Sequence, residues 1–144
     1  MNKKAEKFAS FLKEHEITAF DPVEELEDEF HTAIFRSRLE VEGQQLPVAV
    51  VLDDSIYALF RLQIVDKAVK ENNKEALLNH INELNRQYKV FKYYLSDTGG
   101  IHLDCCMPSS EESFDGELVR AIIDVVMRHV IEQYPVLMKK VWAD

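Results

Sequence analysis

The stretch FHTAIFRSRLEVEGQQLPVAVVLDDSIYALFRLQIV, residues 30–65, decides the fold. Apolar and polar residues alternate through it with a period of two, the spacing of strands with one buried face. From Phe30 to Glu42, Phe35, Ser37, Leu39 and Val41 share one face, and Ile34, Arg36, Arg38 and Glu40 share the other. Glu42-Gly43-Gln44 makes a turn. Gln45 to Leu52 is apolar on both faces, with Leu46, Val48, Val50 and Leu52 opposed to Ala49 and Val51. That predicts a central strand, with Pro47 near its start because proline cannot donate to the ladder. Asp53-Asp54-Ser55 is a second tight turn. Ile56 to Val65 then places Ile56, Ala58, Phe60, Leu62 and Ile64 inward and Tyr57, Leu59, Arg61 and Gln63 outward. Strands joined by turns this short pair antiparallel.

Toward the C-terminus, Asn73 to Tyr88 has helical spacing, with Leu77, Leu78, Ile81, Leu84 and Tyr88 as its stripe. Asn72 followed by Glu75 resembles a capping box. A hairpin follows. Lys89 to Ser96 and Ile101 to Met107 flank Asp97-Thr98-Gly99-Gly100, where glycine supplies the positive φ of a turn. Phe91, Tyr93 and Leu95 are expected to share the core face with Ile101, Leu103, Cys105 and Met107. Phe114 to Tyr134 is the longest helix. Its polar residues, Glu117, Arg120, Asp124, Arg128 and Glu132, form one narrow stripe, which predicts burial on two sides or a dimer contact. Pro135 is expected to turn the chain into a short tail.

Toward the N-terminus, Ala5, Phe8, Ala9 and Leu12 form an apolar stripe on a helix from Asn2 to His15, with Lys3, Lys4, Lys7 and Lys13 off it. Asp21-Pro22 ends that region. The predicted order is α-β-β-β-α-β-β-α. It describes an α+β domain over residues 1–144, built on a five-stranded antiparallel sheet.

The chain's 144 residues, 47% of them hydrophobic, suffice for one core. No run of 18 apolar residues occurs, so no membrane helix is expected. Met1 to Glu16 is charged throughout and lacks the apolar centre of a signal peptide, which predicts a cytoplasmic location. The net charge is −9, yet residues 14–29 hold eight carboxylates and no Lys or Arg, so the rest of the chain sums to −1. The acidic run is read as a solvated connector, or as a lure for a basic partner. The overall charge disfavours nucleic acid. Cys105 and Cys106 are adjacent, so on a strand they point to opposite faces: one core thiol, one surface thiol.

No catalytic constellation emerges, so no enzyme and no cofactor are expected. His102, Asp104 and Cys106 share a strand face and offer N, O and S donors. Their spacing along the strand, about 6–7 Å from one to the next, is awkward for a single tetrahedral ion, and no metal is expected. His102 and Cys106 lack a third orienting group for nucleophilic catalysis. No phosphate-binding glycine loop is present.

Interest therefore falls on the outward face of the sheet. Arg36, Arg38, Tyr57, Leu59, Arg61, Lys92 and Tyr94, with His102, combine basic and aromatic side chains that can grip a partner segment or an anionic ligand. The same pattern fits a half-solvated face of ordinary salt bridges, or a face covered by the first helix.

Four strings, Val50-Val51-Leu52-Asp53-Asp54-Ser55-Ile56-Tyr57, Ile81-Asn82-Glu83-Leu84-Asn85, Phe91-Lys92-Tyr93-Tyr94 and Tyr134-Pro135-Val136-Leu137-Met138, resemble the YbjN family. Its members are labelled bacterial sensory transduction regulators. The resemblance covers roughly residues 16–143. It implies the fold of type III secretion chaperones and carries over no catalytic residue. It also implies a protein-binding role, chaperone-like or regulatory, with an unknown protein partner and a homodimer. A sensor of an anionic small molecule or nucleotide on the sheet face is the alternative.

Overall fold

The computed structural model describes residues 1–143. The elements are α1 (Lys3–Glu14), β1 (Glu24–Glu25), β2 (Ala33–Val41), β3 (Gln44–Leu52) and β4 (Tyr57–Val65), then α2 (Lys74–Gln87), β5 (Phe91–Leu95), β6 (Ile101–Pro108) and α3 (Gly116–Val141). The strands form one antiparallel sheet in the order β1-β2-β3-β4-β6-β5. The α+β class holds, but the sheet has six strands where five are predicted. The added strand, β1, lies in the acidic run and pairs Glu24 with Ile34 and Glu25 with Ala33. Two exposed glutamates at an edge carry no alternating apolar pattern, so the sequence gives no strand signal there.

Local chemistry explains most of the rest. Glu42 and Gly43 join β2 to β3 with φ of 48° and 79°, the pair of positive values that a two-residue hairpin needs. Pro47 pairs with Arg38 of β2, while the β4 ladder begins one residue later at Val48↔Leu62. Its missing N–H thus falls outside the doubly paired part of β3. Ile56 is 62% exposed rather than inward, because β4 begins at Tyr57 and Ile56 belongs to the turn.

All three helices lie on the inner face. Phe8 of α1 packs edge-on against Phe35 of β2, with ring centroids 4.9 Å apart, and against Phe20 and Phe114. Leu77, Ile81 and Leu84 of α2 and Val119, Val126, Val130, Leu137 and Val141 of α3 complete the core with Phe60, Leu62, Ile101 and Leu103. Cys105 is buried and Cys106 exposed, as their alternation requires.

Four readings are corrected here. Lys4 is buried, not solvent-facing. Its Nζ donates to the carbonyl oxygens of Ser55 (2.6 Å), Tyr57 (2.7 Å) and Ser109 (3.1 Å), and so ties α1 to the ends of β4 and β6. The residue before α2 is Asn73, not Asn72. Its side chain caps no helical N–H; its Nδ2 donates to Ala68 O and Val141 O instead. Pro135 does not end α3, which runs on to Val141. An interior proline costs about 3 kcal/mol or more. Burial of Tyr134, Leu137 and Val141, at about 1.5–3 kcal/mol for each fully buried large side chain, offsets that cost. Nor is α3 buried on two sides within this chain. Leu118, Val125, Ile131 and Val136 stand 43–53% exposed.

Candidate functional site

No helix covers the outer face of the sheet among the described residues. The first helix lies on the inner side, through Phe8 on Phe35. Register sorts the outward side chains into rows. One row runs Ile34–Val51–Leu59–Cys106 and is apolar up to its thiol end. The next runs Arg36–Ala49–Arg61–Asp104–Lys92. Beyond it, Gln63–His102–Tyr94 follow on β4, β6 and β5, and Arg38 lies opposite Pro47. Tyr57, half exposed, pairs with Pro108 at the far end of β4. The residues singled out from sequence therefore do share one face, but they fall into three groups rather than one patch.

At the β2 edge, Arg36 Nε lies 3.0 Å from Glu24 Oε2, and Arg38 lies 3.4 Å from Asp21 Oδ2. The backbone follows the same path, because Asp21 N donates to Arg36 O. The acidic run stays solvent-exposed, and Asp21 and Glu24 tie it along β2 as a strap. In the middle, Arg61 donates from Nε and a terminal nitrogen to both oxygens of Asp104, each at 2.9 Å. Asp104 is 5% exposed, so this two-pronged pair is the one on this face with a buried member. The bond to Asp104 holds the Arg61 guanidinium above its ordinary value. At the β5 end, Tyr94 stacks on His102 with centroids 5.1 Å apart and planes 11° from parallel. Lys92 Nζ lies 5.8 Å from the Tyr94 ring. Burial lowers the His102 imidazole below its usual value and raises the Tyr94 phenol.

Three of the four cations named for this face are therefore matched by the chain's own carboxylates, and Lys92 makes no ion pair among the described residues. Asp104 is committed to Arg61 and His102 to Tyr94. Among the described residues no group of three or more His, Cys, Asp or Glu is placed to hold a metal ion. Periodicity could not reveal Asp21 and Glu24 as partners of Arg38 and Arg36, because the strap has no pattern. It could have suggested Asp104, which alternation puts on the outward face beside Arg61.

This two-layered architecture, a sheet with one bare face and helices on the other, matches a known fold. The ExsC–ExsE complex contains a chain similar to this one, with a TM-score of 0.62 at 14% identity, over 95% of this chain and 97% of that one. No curated protein matches the chain. The family model YbjN, described as "Putative bacterial sensory transduction regulator", matches residues 4–137, and the chain belongs to that family. No helix among the described residues is long and apolar enough to cross a membrane.

Proposed function

We propose that the chain is a non-enzymatic protein-binding module, chaperone-like or regulatory, acting in the cytoplasm as one domain. Its outer sheet face takes an extended segment of a protein partner, not an anionic metabolite, a nucleic acid or a membrane. The observation that carries this reading is the self-neutralised face: Arg36, Arg38 and Arg61 already hold carboxylates, and an apolar row lies beside them. A free anion would have to displace a partner at each arginine. A protein segment can bury the apolar row of Ile34, Val51 and Leu59 and exchange the exposed pairs, which are worth only about 0.2–1 kcal/mol each. The family assignment and the ExsC–ExsE likeness, whose printed name is that of a protein complex, favour the same reading.

The helix α3 supports a homodimer, since Leu118, Val125, Ile131 and Val136 are exposed on it in the single chain. Affinity capture with mass spectrometry, followed by direct binding of the partner recovered, tests the main reading. Replacing Arg36, Tyr57 and Arg61 together should abolish binding; unchanged binding removes the face from consideration. A thermal-shift screen decides the rival. A raised unfolding midpoint with an anionic metabolite or nucleotide would overturn the protein-binding reading in favour of a sensor.

A further inference from the structure

His129 lies in the middle of α3 and is 7% exposed. Tyr88 at the end of α2 and Phe91 and Tyr93 on β5 surround its ring, with centroids 4.4, 4.5 and 5.8 Å away. The Tyr93 hydroxyl lies 2.5 Å from His129 Nε2. This is the one polar link from α3 to β5 in an otherwise apolar contact among the described residues. We propose that the Tyr93–His129 pair is an acid-sensitive latch that holds α3 against the edge strand β5.

Burial, and to a lesser degree Tyr88, raises the Tyr93 phenol well above its usual range, so it stays protonated and donates to a neutral imidazole. Protonation of His129 turns Nε2 into a donor. The Tyr93 hydroxyl must then rotate to accept, and its own hydrogen is left without a partner in a buried site. An imidazolium there also lacks a close counter-charge. The titratable groups on the surrounding elements are Tyr88, Tyr93, Cys105 across the β5–β6 pair from Phe91, and Glu132 one turn along α3. Burial lifts the Cys105 thiol to about 11, so it stays neutral. Glu132 raises the His129 value but is exposed and lies on the solvent side of α3, and burial outweighs it: the net direction is downward from 6.5. The aromatic faces can stabilise a cation, but they do not replace the lost hydrogen-bond partner.

The sign follows. A histidine depressed in the folded state is protonated first in the open state, so the latch is whole above about pH 6.5 and weakens as the pH falls from there toward the folded value. The strand it releases is an edge. Among the described residues β5 pairs only with β6, and its other side is held by Asn85, which accepts from Tyr93 N at 2.8 Å and donates to Tyr93 O at 3.2 Å. Acid therefore removes the polar hold of α3 on β5 and leaves the strand to its ladder with β6 and to Asn85.

The test uses the full chain, with histidine titration by NMR and amide exchange at residues 91–95 between pH 5 and 8. His129 should titrate below 6.5, and exchange of β5 should speed up by about tenfold for each unit of depression that the pH range covers, beyond the intrinsic pH dependence of exchange. His129→Phe keeps a ring and cannot titrate, so its β5 protection should lose that extra acid response. Tyr93→Phe keeps both rings but removes the bond to neutral His129, so the His129 value should rise toward 6.5; a merely structural tyrosine would leave it unmoved. Titration of His129 at or above 6.5 overturns the latch. So does the same acid response in His129→Phe, or an unchanged His129 value in Tyr93→Phe. If His129→Phe fails to fold, the wild-type and Tyr93→Phe titrations still decide.

Discussion

The two faces of this sheet come from the same strands, yet they are held by different physics. On the inner face, Phe35, Phe60, Leu62 and Leu103 are nearly fully buried and their energy comes from removing apolar surface from water. On the outer face, Arg36, Arg38 and Arg61 remain near half exposed and meet carboxylates instead. One face fixes the fold and tolerates little change. The other contributes little to stability, and that leaves it free to exchange its partners.

The comparison can be broken from the inside first. Phe8→Ala should cost about 3–5 kcal/mol in urea unfolding, because it removes the ring that Phe20, Phe35 and Phe114 meet. A loss below 1 kcal/mol would mean that α1 is not part of the core. Lys4→Met comes next, at about 1–3 kcal/mol, since three carbonyls lose their donor while the apolar stem is kept. Faster amide exchange confined to α1 would identify the cause.

On the outer face a double-mutant cycle between Arg61 and Asp104 should give a coupling of about 1–2 kcal/mol, between the values for exposed pairs and for charged hydrogen bonds. The cycle between Arg36 and Glu24 should give about 0.2–1 kcal/mol and shrink further in 1 M salt, where the screening length is about 3 Å. Equal couplings for the two pairs would erase the distinction drawn between the centre of the face and its strap.

Much of this was legible because two periods carry it. Alternation in residues 33–65 reports directly which side chains enter the core, and so Phe35, Val50, Phe60 and Leu62 were placed correctly. The same alternation put Arg36, Tyr57, Leu59 and Arg61 on one face, and the alternation of the later hairpin added Lys92 and Tyr94. What alternation cannot report is who meets whom across the chain. Asp21 and Glu24 sit in an aperiodic run, and their pairing with Arg38 and Arg36 depends on the strap returning to the edge of β2. Lys4 looked like any surface lysine on a helix, because its three acceptors come from residues more than 50 positions away.

By itself, then, the sequence determined the antiparallel α+β class, the hairpins and the inward side chains of the strands other than Ile56, because these depend on local periodicity and turn chemistry. Only the tertiary structure decided that the arginines are self-neutralised, that α3 runs through Pro135, and that His129 joins β5 to α3. Each of these rests on a contact between distant segments, whose energy exists only once the core has brought them together.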